Sequence, residues 1–254
     1  MSRTSTPQVF IAAFIGTSLL LATSLAVAAR NQRAAIHSNT CAHHLSFIYR
    51  GLRGYHDKYG KFPPAYIADA SGKKLHSWRI LILETLGEPL ATEVYQAYRF
   101  DEPWDGPNNR KLLNHMPAFY ACTSDHSTPI AGRSTTNYVV VTGPGAVFRP
   151  GGSLAISAVA DIHDDTIILT ETLPGIPWTE PKDLEFDSMS FELNDPQHRS
   201  IASEDRPGPG VMFLDGRLKR LGSTINADVV KSLIIAHPAP AKVPDEEKQK
   251  KVPQ

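Results

Sequence analysis

The chain has 254 residues, with 26 basic and 26 acidic side chains, two cysteines, twenty prolines and seventeen glycines. Balanced charge argues against a nucleic-acid partner and against an electrostatic funnel for charged substrates. The many prolines and glycines imply turns and short elements rather than a helical bundle, and roughly 200 residues are left for one substantial domain between an apolar N-terminal stretch and a polar tail.

Residues 1–8 form a short leader. Val9 to Ala29 (VFIAAFIGTSLLLATSLAVAA) carries no charge and no proline. About 21 residues rising ~1.5 Å each reach roughly 31 Å, enough for a bilayer core of about 30 Å, so the run predicts a transmembrane segment over 9–29 in contact with membrane lipid. Ala26-Val27-Ala28 also fits the small-x-small pattern before a signal-peptidase cut, but the run exceeds the usual h-region of about 7–15 residues. Arg3 lies on one side and Arg30 and Arg33 on the other, so the charge count does not set an orientation.

The helix continues as an amphipathic segment. Cys41, Leu45, Ile48, Leu52 and Tyr55 recur at the spacing of one helical face, with His44, Arg50 and Arg53 between them. Gly60 and Phe62-Pro63-Pro64 stop it. Ser77–Leu86 reads as a short amphipathic helix ended by Gly87, and Pro89–Tyr98 as a second with proline at its first position. The turn-rich Phe100–Pro107 leads to a third helix near Asn108–His115, and Phe119–Cys122 reads as a brief strand or extended loop.

The second half is strand-like. Asn137–Val141, Thr166–Thr170 and Met189–Leu193 carry its β-branched or apolar runs. Val211–Leu221 reads as a hairpin around Asp215-Gly216, a pair suited to a type I′ turn with both central residues at positive φ. Thr224 or Asn226 caps a last helix, Ala227–Ile235. Residues 237–254 are proline-rich and charged and are expected to be disordered. Long helix and strands together predict an α+β class.

No phosphate-cradling loop, dinucleotide fingerprint, nucleophile elbow or zinc-protease helix occurs in the chain. The expectation is therefore no enzyme, no catalytic residues, no metal and no cofactor. Adjacent His43 and His44 point about 100° apart on a helix and do not readily share a metal. Asp161, His163, Asp164 and Asp165 have calcium-like spacing but read better as a solvated turn, and Glu192, Asp195, Glu204 and Asp205 form a second polar loop. Phe62-Pro63-Pro64, Pro103-Trp104 and Ile176-Pro177-Trp178 read as core edges, with a glycan platform on Trp104 and Trp178 as the alternative. A hydrolase built on the aspartates ranks last. In an exported domain Cys41 and Cys122 are a candidate disulfide, which closes a loop of about eighty residues and on chain entropy adds roughly 4–5 kcal/mol. The other reading makes both small buried hydrophobes.

The motifs together resemble the prepilin-like, general-secretion-pathway-G-like domains of unknown function expanded in planctomycetes. Cys41-Ala42-His43-His44-Leu45 followed by Tyr55-His56-Asp57 and Gly60-Lys61-Phe62-Pro63-Pro64-Ala65 is similar to that family's opening. Ser77-Trp78-Arg79 resembles its S-W-R helix, and Asp101-Glu102-Pro103-Trp104-Asp105 with Asn108-Asn109 its D-E-P-W-D turn. Tyr138–Gly145, Pro177-Trp178-Thr179, Pro181-Lys182-Asp183-Leu184 and Phe213-Leu214-Asp215-Gly216 continue the likeness.

That resemblance implies a pilin-like fold over 30–236: a transmembrane then amphipathic helix on a small antiparallel sheet, with short extra helices. It implies a pseudopilin, type II secretion-like envelope protein, single-pass in the inner membrane with its domain on the periplasmic side, acting through unidentified envelope protein partners without assigned activity. Two departures stand out. Pro7-Gln8-Val9-Phe10-Ile11 replaces the Gly-Phe-Thr-Leu-x-Glu processing signature, and Asp205 stands where the family has a histidine ahead of Asp-Gly.

Overall fold

The computed structural model describes residues 6–122, 134–149, 152–153, 164–205 and 207–236, with side chains described from residue 22 onward. Helix α1 (Thr6–Tyr59) leads the chain. Its part from Ala22 is exposed as far as Ile36, and burial begins at Cys41. From there Cys41, Leu45, Ile48 and Leu52 are fully buried, the stripe that steps of four and three residues put on one helical face.

The transmembrane reading needs correction. Among the described residues no helix is long and apolar enough to cross a membrane. The described apolar part of α1 runs only from Ala22 to Ala29 before Arg30 and Arg33 interrupt it, whereas a bilayer core takes about 20 apolar residues. The segment 9–29, its lipid contact and the single-pass inner-membrane placement fall with that finding. Residues 9–21 of that segment and the 1–8 leader lie outside the described side chains, and the tail 237–254 lies outside the described residues.

Strands β1 (Tyr66–Ala68) and β2 (Lys74–Ser77) form a small hairpin. Ser77 then caps α2 (Trp78–Leu81), accepting from the Arg79 N–H. A continuous helix over 77–86 was expected, yet α2 gives way to a 3-10 turn at Leu83–Thr85. Trp78 through Leu83 are all buried, so the segment has no solvent face to make a longer amphipathic helix. Helix α3 (Pro89–Ala97) follows, with the Glu88 carboxylate accepting from Ala91 N–H at 2.7 Å. The expected third helix is a 3-10 stretch, Asn109–His115, and the expected strand near Phe119 is another 3-10 turn, Ala118–Tyr120.

The remaining strands are β3 (Thr135–Val139), β4 (Val141–Thr142), β5 (Phe148–Arg149), β6 (Gly152–Ser153), β7 (Ile167–Pro177), β8 (Leu184–Glu185), β9 (Gly210–Phe213) and β10 (Leu218–Arg220). An antiparallel sheet in the order β10-β9-β7-β3 carries the core. Period-two alternation sorts its side chains. Tyr138, Val140 and Met212 face α1, while Val139, Val141, Val211 and Phe213 face helix α4 (Ala227–Ile234), which Asn226 caps. An irregularity between Ile167 and Leu169 in β7 resets that alternation and turns Leu169 toward α1.

Beside this sheet lies a second one, β6-β5-β4-β8, in which β4 pairs parallel with both β5 and β8. The chain is α+β with a long N-terminal helix, but a membrane stem on one small antiparallel sheet does not describe it, and the pilin-like fold is corrected accordingly. Two local expectations also change. Residues 189–193 form no strand, and only Ser190 pairs, in an isolated bridge to Ser200. At the β9–β10 hairpin only Gly216 takes positive φ (+88°). Phe213 donates its N–H to Arg217 O and its carbonyl accepts from Gly216 N–H, both at 2.9 Å. The loop is thus three residues with a left-handed glycine, not a type I′ turn.

Candidate functional site

Four elements meet behind the buried stripe of α1. Cys41 comes from that helix, Cys122 from just beyond the Ala118–Tyr120 turn, Glu171 from β7 and Tyr138 from β3. Glu171 is two residues beyond Leu169, so the same alternation aims it at the helix. The two sulfurs lie 3.2 Å apart. Both sulfurs and a carboxylate oxygen of Glu171 lie within 4.8 Å of one another. Cys41 and Glu171 are fully buried and Cys122 is 5% exposed.

The carboxylate is only half satisfied. Glu171 Oε2 accepts from Gly210 N–H at 2.7 Å and lies 3.7 Å from the Arg220 guanidinium. Its Oε1 has no hydrogen-bond partner among the described residues. Arg220 is shared. It pairs with Asp205 at 3.0 Å and donates to Gly208 O and to Ser38 O on α1. Burial, then the neighbouring Cys41, pushes the Glu171 carboxyl up to about 8, against the opposing pull of Gly210 N–H and Arg220. Gly210 permits the close approach, since a Cβ there would fall 2.6 Å from Leu45 Cδ1.

Tyr138 and His44 complete the surroundings. Burial raises the Tyr138 hydroxyl well above its usual value. His44 Nδ1–H donates to Ala121 O at 3.0 Å, and burial lowers this histidine's pKa. Outside it, His43, His44, Phe47, Glu88, Ala118 and Phe119 line a shallow groove. A dry dithiol with an adjoining carboxylate can hold a thiophilic cation or cycle between dithiol and disulfide. Among the described residues its three members are buried away from solvent.

A second buried cluster lies on the other side of Tyr138. The Arg79 guanidinium is fully buried and donates to Tyr138 O, Ser77 Oγ, Glu180 O, Lys182 O and Asp183 Oδ1, the last at 2.7 Å. Asp183 Oδ1 also accepts from Trp78 Nε1 and Val140 N–H. Residues of the S-W-R and P-K-D-L motifs therefore hold each other. The D-E-P-W-D turn works similarly: Glu102 Oε1 accepts from the Asn108 and Asn109 N–H groups at 2.8 and 2.7 Å.

The remaining sequence candidates scatter. Asp161 and His163 lie outside the described residues. Asp165 pairs with Arg217 at 2.5 Å, and Asp164 is exposed. Asp195 accepts from the Gln197 and His198 N–H groups, and Glu192 and Glu204 are exposed, while Asp205 belongs with Arg220. Trp178 is buried, stacked on Tyr120 and donating to Leu113 O, which leaves Trp104 as the accessible member of that pair. Cys41 and Cys122 do come together. Sequence reasoning missed Glu171, Arg220 and Tyr138. The signal for Glu171 was a lone carboxylate in the apolar run Ile167-Ile168-Leu169-Thr170-Glu171.

No curated protein matches this chain, and no solved structure does, pilins included. One family model does match, over residues 30–164, which takes in α1 from Arg30, the hairpin, α2, α3 and β3 to β6. On that match the chain belongs to the family described as a protein of unknown function, DUF1559 (SBP_bac_10).

Proposed function

We propose that the chain is a non-catalytic interaction module whose exposed helical segment, residues 22–40, docks on an acidic protein surface. The observation that carries this reading is the exposure of Leu25 (64%), Val27 (57%) and Ile36 (58%) on a helix whose burial begins only at Cys41. Leu25, Ala29, Gln32 and Ile36 follow a seam spacing of four, three and four residues. The segment carries Arg30, Arg33 and His37, and no carboxylate occurs in α1 before Asp57. That charge favours an acidic partner and disfavours a second copy of the same helix. Burial of the Cys41–Cys122–Glu171 cluster among the described residues supports the non-catalytic part.

The test uses the full chain with two synthetic amphipathic helices that share one apolar seam, one flanked by glutamates and one by lysines. The acidic peptide binds, binding weakens with salt, and Leu25→Glu with Ile36→Glu removes it without changing the unfolding midpoint. Equal binding of the double variant, preference for the lysine peptide, or self-association through this segment in sedimentation overturns the reading.

A further inference from the structure

We propose that Cys41, Cys122 and Glu171 form a structural site for one thiophilic divalent cation of the zinc(II) class. Three donors from three separate elements already converge, all within 4.8 Å of one another. The second, independent observation is Glu171 Oε1, fully buried in the residue and with no hydrogen-bond partner among the described residues. A buried polar atom without a partner costs about 1–3 kcal/mol, more when charged, and so calls for an occupant.

The weak pairing of the carboxylate supports the same conclusion. Arg220 serves two carboxylates, Glu171 at 3.7 Å and Asp205 at 3.0 Å, and its closer partner is Asp205. An ionised Glu171 carboxylate therefore has no close counter-charge of its own. A disulfide between the cysteines gives its Oε1 no partner. A dication bound by two thiolates and the carboxylate places a bonded cation on that oxygen, with both thiol protons and the carboxyl proton released to solvent. Two sulfurs and one oxygen also select a borderline-soft ion over magnesium or calcium. Zinc–sulfur bonds of about 2.3 Å set the two sulfurs roughly half an ångström wider than their 3.2 Å separation, a shift within side-chain rotation.

The surroundings suit an ion that holds structure. Gly210 N–H fixes the carboxylate from behind, as an outer-shell donor does for a metal-bound ligand. The site ties α1 to β7 and to the chain after Tyr120, below the exposed segment 22–40, so its loading is independent of what that segment binds.

The experiment takes the full chain, reduced and stripped with a chelator under argon, and titrates it with cobalt(II) and then zinc(II). One cobalt per chain gives a thiolate-to-metal charge-transfer band that zinc abolishes, and both cysteines become protected from a thiol reagent. Cys122→Ser loses the band. Glu171→Gln, which preserves shape, weakens cobalt binding by at least the ~10-fold that losing even an outer-shell partner costs. Should a cysteine variant fail to fold, the glutamine variant and the thiol protection still decide. No band in the reduced wild type, a band that Glu171→Gln leaves unaltered, or native protein recovered only as the Cys41–Cys122 disulfide overturns the proposal.

Discussion

Tyr138 stands between two buried charged clusters that are finished to different degrees. Its carbonyl accepts from the Arg79 guanidinium at 3.0 and 3.1 Å, while its ring lies against His44, next to the cysteines. Arg79 has acceptors on all three of its nitrogens, and Asp183 answers with three donors on one oxygen. Glu171 has one good donor, a distant guanidinium and an oxygen with no hydrogen-bond partner among the described residues. The difference separates architecture from site. A buried charge with every partner in place holds the fold, and one with an empty acceptor marks where something else belongs.

Breaking the complete cluster has the largest effect. Arg79→Met strands Asp183, which is almost fully buried, with its counter-charge gone. Losing one partner of a buried pair costs about 3–5 kcal/mol. The urea midpoint should fall accordingly, and Asp183→Asn in the same chain should recover part of the loss. A cost under about 1 kcal/mol would mean that this cluster is no more architectural than the other.

The incomplete cluster answers in the opposite sense. In metal-free, reduced protein the folded state keeps the Glu171 proton up to about 8, whereas the unfolded chain gives it up near the ordinary 4.5. The folded pKa is the higher one. Its contribution to stability is therefore full below 4.5 and is lost as pH rises through about 8. Glu171→Gln cannot lose a proton there. It should match wild type at pH 4 and exceed it at pH 9, by on the order of a few kcal/mol, in urea unfolding across that range. Arg220, Asp205, Tyr138 and both cysteines face the same group and are unchanged in the comparison. A glutamine variant that is weaker at every pH would place Glu171 with Asp183.

How far the sequence disclosed these clusters follows from the range of the interactions. The stripe Cys41, Leu45, Ile48, Leu52 was legible because helical periodicity is local, and so were the proline at the first position of α3 and Asn226 as one of two candidate caps of α4. Length was misleading in α1: the run Val9 to Ala29 was read as a bilayer span, but among the described residues no helix is long and apolar enough to cross a membrane. Type I′ geometry was read into Asp215-Gly216 from the dipeptide alone, although the closing pair Phe213 and Arg217 sets the loop at three residues. The cysteines could be paired from their number, but not joined to Glu171, which lies some fifty residues beyond Cys122. Only the turn of β7 after its irregularity brings that carboxylate to the helix. The resemblance motifs, conversely, proved to be the fold's own stitching, Ser77-Trp78-Arg79 with Asp183 and Glu102 with Asn108 and Asn109.

His76 gives the smallest effect and the finest division between burial and satisfaction. It is 2% exposed, and its Nδ1 is hydrogen-bonded to the Tyr98 hydroxyl at 3.0 Å. Burial lowers its pKa, with the backbone of Phe100 opposing. Here the folded value is the lower one, so the unfolded chain takes the proton first. Stability is full above the ordinary 6.5 and is lost as pH falls below it. Between pH 7 and 5 the wild type should lose stability, and His76→Gln should remove this part of the acid slope while lowering the plateau at pH 7. If the slope is the same in both proteins, protonation at Nδ1 breaks nothing that matters, and burial alone does not make a histidine acid-sensitive in this fold. If it disappears, the neutral ring holds Tyr98 against β2 through one hydrogen bond, where Arg79 uses six to hold its surroundings.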